Sequence, residues 1–190
     1  MVARAQAAER TAERVLDATT ELYSARFYDE VSLEDIATGA GVTVQTVLRR
    51  FGSKDGLLAA AAERVDQDLA LPRAEVPAGD VRAAAARVVS DYERHGDAIM
   101  HWLAQERRVP FLQRFVERGR REHEAWVDRV FASALAARTG RDRRRFRAQL
   151  VAVFDVYTWQ LLRRQAGLGR TETQRAISEL ATGLLIRQED

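Results

Sequence analysis

Residues 32–55 limit what this chain can fold into more than any other stretch. Ser32 is a preferred N-cap, Asp35 stands at the third helical position, and Val31 and Ile36 are spaced as a hydrophobic staple. Gly39 and Gly41 loosen the chain where this first short helix must turn, and a glycine after the last helical residue relieves left-handed strain. Thr43 then caps a second short helix, predicted from Val44 to about Phe51. Ser53 caps a third, whose first residues are Lys54 and Asp55.

The second helix has two unlike faces. Val44, Val47, Leu48 and Phe51 fall at i, i+3, i+4 and i+7 and are expected to share one buried stripe. Gln45, Thr46, Arg49 and Arg50 fall opposite. Gln pairs with adenine and Arg with guanine, while Thr reaches a base edge or a thymine methyl. The free N–H groups at the start of the third helix, with the charge of Lys54, make a phosphate site. Two short capped helices around a glycine turn, with such a face on the second, have the shape of a helix-turn-helix DNA reader.

Residues from about 10 to 66 resemble the DNA-binding domain of TetR-family transcriptional regulators. The residues that carry the resemblance are Val15-Leu16-Asp17-Ala18, Leu22-Tyr23, Phe27-Tyr28-Asp29, Ser32-Leu33-Glu34-Asp35-Ile36-Ala37, Ala40-Gly41-Val42-Thr43 and Phe51-Gly52-Ser53-Lys54. The resemblance implies that Thr43, Gln45, Thr46, Arg49 and Arg50 approach the major groove while Lys54 grips a phosphate. One position departs from the family. A Tyr whose hydroxyl reaches the DNA backbone commonly stands where this chain has Leu48, and Leu48 cannot make that contact.

Bulk charge does not by itself point to DNA. Residues 1–66 hold seven Arg and one Lys against eleven acids, a net of −3, whereas residues 67–190 hold 22 Arg against 17 acids, a net of +5. The local distribution is more telling, because Arg49, Arg50 and Lys54 cluster at the expected reading surface. Lys54 is the only lysine of the chain, and a compact ammonium there suits a phosphate. No cysteine occurs, which excludes disulfides, thiolate metal sites and cysteine nucleophiles. With no apolar run of about 18 residues and a charged start, the chain is expected to be cytoplasmic and to have no membrane partner.

Only three prolines occur, and the expected fold class is all-α. A three-helix DNA-binding domain over 1–66 is expected to precede a larger helical ligand-binding and dimerisation domain over 67–190. A fourth helix is predicted from Lys54 to about Leu69, stopped by Leu71-Pro72. Asp80 caps a fifth, running to about His95 with a break at Gly96-Asp97. Pro110 opens a helix to about Ala137, Asp142 begins one to about Gln165, and Thr171 caps the last. Phe146, Leu150, Val153, Phe154, Tyr157 and Leu161 stripe one of the last two helices, and Ala176, Ile177, Leu180 and Leu184 the other. Such helices from two subunits make a four-helix bundle, half of whose stripe residues would pack within their own domain. A homodimer then presents two reading helices to a palindromic operator in double-stranded DNA.

The family resemblance also implies a small-molecule pocket in the larger domain, with an unidentified effector. His101, Trp102, Phe115, Trp126 and Tyr157 are its candidate lining. No nucleotide loop, dinucleotide fingerprint or His-Glu-x-x-His motif occurs, so no catalytic residue, metal or cofactor is expected. Glu122-His123-Glu124 does not change this, since adjacent helical residues point about 100° apart. The leading reading is a homodimeric repressor released by a ligand. The alternatives are an interaction module that has lost DNA reading, for which Leu48 is the support, and a small helical enzyme.

Overall fold

A computed structural model describes residues 2–186, and every regular element among them is helical. The chain forms two compact units. The first takes the chain as far as Gln67 together with His101–Val116, and the second holds Asp68–Met100 and the chain from Glu117 onward.

In the first unit the local signals of the sequence set the geometry. Helix α1 (Val2–Ala25) is followed by a 3-10 turn over Tyr28–Glu30 and then by α2 (Leu33–Ala40) and α3 (Val44–Phe51). Ser32 and Asp35 form a reciprocal capping box at the start of α2. The Asp35 amide donates to Ser32 Oγ at 3.0 Å, and the Ser32 amide donates to Asp35 Oδ2 at 2.9 Å. These bonds hold the Asp35 carboxyl below its ordinary pKa. Gly41 ends α2 at φ 63°, a left-handed conformation that a side chain would strain. The Thr46 amide donates to Thr43 Oγ1 at 3.2 Å and caps α3. The core of the unit is built from Val15, Tyr23, Ile36, Ala37, Val47, Leu57 and Leu58, all nearly inaccessible.

The second unit departs from its predicted boundaries in four places. Helix α4 (Lys54–Ala74) runs through Pro72 instead of stopping before it. Proline there removes a single backbone donor in the last turn, and side chains of α6 (Pro110–Val130) take up the carbonyls beyond it. Trp126 Nε1 donates to the Arg73 carbonyl at 3.1 Å, as does Arg129 at 2.6 Å, and Arg129 also reaches the Val76 carbonyl at 3.0 Å.

Helix α5 (Val81–Gln105) is continuous across Gly96-Asp97. Gly96 is no break. A Cβ there would lie 2.5–2.9 Å from the Trp159 ring, so the glycine admits a buried tryptophan against the helix.

The helix from Pro110 ends at Val130, with Phe131 separating it from α7 (Ala132–Ala136). The helix expected to reach Gln165 is likewise divided, into α8 (Gly140–Val153), α9 (Val156–Gln160) and a π-helical turn over Leu161–Gln165. Its interruption is set by buried Phe154 and by Asp155, whose carboxylate accepts the Tyr157 amide at 2.9 Å as the cap of α9. Helix α10 (Arg170–Ile186) packs against α8, α9 and the π-helical turn. Among the described residues no helix is long and apolar enough to cross a membrane.

Candidate nucleic-acid interface

Helix α3 is anchored through fewer residues than its pattern suggests. Val47 is 1% exposed and Val44 and Phe51 are half-buried, but Leu48 is 40% exposed and does not join the buried stripe. On a 100° turn per residue Leu48 lies at the edge of that stripe, beside Gln45, and the packing reaches only its centre. Thr43, Gln45, Arg49 and Arg50 are exposed, and Thr46 is half-buried.

The polar face is partly committed to contacts of its own. The hydroxyls of Thr43 and Thr46 lie 3.0 Å apart and share a hydrogen bond. Arg50 pairs with Glu9 of α1 at 2.9 Å, both side chains remaining well exposed. Arg49 is exposed and borders, with Thr46 and Arg50, an open groove of about 460 Å³ whose other wall is Ala7, Ala8, Thr11, Ala12 and Val15 of α1. Small residues on α1 therefore leave space beside the guanidinium groups of α3.

Lys54, at the first turn of α4, is held more firmly than a free surface lysine. Its ammonium donates to the Tyr28 carbonyl at 2.6 Å and lies 4.1 Å from the centre of the Tyr28 ring. Burial pushes its pKa down, while Asp29, Asp55 and Asp35 pull it up. One of three ammonium donors is used in this way. The Tyr28 hydroxyl in turn donates to Asp55, and burial together with that bond raises the phenol to about 12. The roles of Tyr28 and Glu9 were not visible in the sequence, since each meets its basic partner across 26 or 41 residues with no local pattern.

The five candidate lining residues fall in both units. His101, Trp102 and Phe115 belong to the first. Trp102 is buried with its ring edge-on to Phe115 at 5.1 Å, and His101 stands 5.0 Å from Phe27. Trp126 and Tyr157 belong to the second. Trp126 is buried and committed to the Arg73 carbonyl, whereas Tyr157 is 49% exposed.

Residues 15–61, which contain α2, α3 and their caps, match the sequence profile of a family described as bacterial regulatory proteins, tetR family. The match covers the helix-turn-helix region and its immediate flanks. No curated protein matches it. Among solved structures it is similar to a TetR-like transcriptional regulator from Rhodococcus sp. RHA1, at 21% identity and a TM-score of 0.71 over 93% of this chain and 97% of that one. A second transcriptional regulator from Rhodococcus sp. Rha1 is similar at 18% identity and a TM-score of 0.69, with 94% and 95% of the two chains covered. The multidrug binding protein EbrR, solved with imidazole, is similar at 21% identity and a TM-score of 0.57 over 88% of each chain. At these identities the structural likeness shows the fold, and the matched profile is confined to residues 15–61.

Proposed function

We propose that this chain is a TetR-family transcriptional regulator, a cytoplasmic, homodimeric repressor whose grip on a palindromic operator is loosened by a small molecule. The observation that carries the reading is the split of α3, with Val47 buried and Gln45, Arg49 and Arg50 presented to solvent. Thr43, Gln45, Thr46, Arg49 and Arg50 are assigned to the major groove, and Lys54 with the first amides of α4 to a phosphate. The domains take the bounds 1–66 for DNA reading and 67–190 for ligand binding and dimerisation.

Ligand control is supported by two observations. EbrR, a protein of the same fold, binds drugs and was solved with imidazole. In this chain the buried indole N–H of Trp102 has no acceptor, a donor left for a polar group on a ligand. An effector that favours the conformation with weak DNA affinity lowers operator occupancy by its difference in affinity for the two states.

The deciding experiment is selection of duplex DNA from a random pool by the full-length protein. A palindromic consensus is expected, and recovery of no consensus rejects sequence-specific reading. Two variants then separate the roles. Arg49→Ala is expected to relax preference at one position of each half-site, costing about 1–3 kcal/mol if it reads guanine. Lys54→Ala is expected to weaken all sequences alike and to flatten the slope of log affinity against log salt by about one charge per half-site. An unchanged slope would return Lys54 to a purely structural role, holding Tyr28.

A further inference from the structure

We infer that Leu48 is a specificity-determining residue that reads the C5-methyl group of a thymine, an inference that rests on the DNA-reading proposal above. Leu48 is the exposed apolar side chain of α3, at 40% accessibility on a helix whose other exposed positions carry hydrogen-bonding groups. It lies one residue before Arg49 and three after Gln45, so helical geometry sets it about 60° around the axis from Gln45, on the flank of the reading face. Its place is fixed by the backbone as well. The Leu48 carbonyl accepts the Gly52 amide at 2.8 Å, which closes the last turn of α3 and limits the side chain to the rotamers of a regular helix.

A solvated leucine here does little for the fold, because Val47 supplies the buried anchor of α3. In the major groove the thymine methyl is the apolar feature that distinguishes one base from the rest, and an aliphatic side chain is its natural counterpart. A leucine makes no hydrogen bond to a phosphate, so on this helix its contribution is selective among bases and not general to the DNA backbone. The structure also separates Leu48 from the other aliphatic readers at hand. The methyl-bearing side chains of Thr43 and Thr46 are joined through their hydroxyls at 3.0 Å at the start of the helix, and Thr46 projects about 160° around the axis from Leu48.

The test replaces the methyl group and leaves the protein intact. Each thymine of the operator selected by the full-length protein is exchanged singly for deoxyuridine, which pairs identically and lacks only the methyl. The wild-type protein is expected to lose about three- to fivefold in affinity at one position of each half-site, the worth of roughly one buried methyl group. Leu48→Ala is expected to bind thymine and uracil equally at that position while keeping its other base preferences. Circular dichroism checks that this variant folds. If no thymine is sensitive in the wild type, or if Leu48→Ala keeps the same sensitivity, the inference is overturned, and in the second case Thr43 or Thr46 is the reader. Selection of no consensus by the wild-type protein instead overturns the DNA-reading proposal, and the inference falls with it.

Discussion

Asp91→Ala is expected to destabilise the protein by about 3–5 kcal/mol, the cost of stranding buried charge. Asp91 is 0% exposed on α5. Its Oδ2 accepts from Arg73 Nε at 2.8 Å, and Oδ1 is ion-paired with Arg87 at 2.6 Å. The two arginine side chains are only 13% and 20% exposed, so removal of the single carboxylate leaves two cations with little water to replace it. The guanidinium of Arg73 also stands 5.7 Å from the centre of the Tyr92 ring and 5.5 Å from that of Trp126. Its own carbonyl holds Trp126 and Arg129 at the end of α4. Loss of the carboxylate therefore reaches the junction of α4 with α6 as well as the charges. Urea unfolding of the full chain, followed by far-ultraviolet circular dichroism, measures the effect without added ionic strength. Combining Asp91→Ala with Arg73→Met is expected to recover part of the loss, because the more deeply buried of the two unpaired cations goes with it. A loss below about 1 kcal/mol for Asp91→Ala alone would show that the site is wet.

Asp91 also shows what the sequence could not announce. A carboxylate on a helix reads as solvated until its partners are known, and Arg73 comes from another helix. What was legible was local. Ser32 with Asp35, Thr43 before Val44 and Gly41 after Ala40 each act within four residues, and the structure places every one where its chemistry required. Boundaries set at long range were misread. Gly96 signals a helix end by itself and became a helix interior because Trp159, from another element, packs on it. Pro72 signals a stop, yet donors from Trp126 and Arg129 carry the helix through Ala74. The same divide runs through the reading surface. The periodicity that put Val47 inside also put Leu48 inside, and the packing of α3 on its neighbours decided between them. Arg49 and Arg50 look equivalent as neighbours in the chain, but only Arg50 meets Glu9.

The second large effect concerns the proposed dimer. Leu161→Glu combined with Leu180→Glu is expected to convert the protein to monomers and to lower its affinity for the selected palindrome by about 10²–10⁴, the worth of binding a second half-site through a linked head. The stripes of the last two helices divide between the core of the unit and its surface. Phe146, Leu150, Phe154 and Ile177 are buried within the unit, while Leu161 is 55% and Leu180 49% exposed, with Tyr157 beside them in that class. Leu162, Ala176, Leu180 and Leu184 border a groove of about 560 Å³ with Glu179 and Gly183, a shallow apolar face suited to a second copy. That face is held rigid from behind. Trp159 Nε1 and Arg163 Nε donate to Glu93 at 3.1 and 2.9 Å, and Arg164 pairs with Asp97 at 2.8 Å, so the π-helical turn that displays Leu161 is pinned to α5. Within a monomer a glutamate at either leucine remains solvated and costs little. Across a twofold seam the pair of substitutions brings four carboxylates into a surface that must lose its water. Sedimentation velocity gives the oligomeric state, and titration of a single half-site, whose affinity is expected to stay unchanged, shows that the reading heads are intact. Dimers that persist in the double variant would falsify the seam, and full palindrome affinity in a proven monomer would mean that one reading helix suffices.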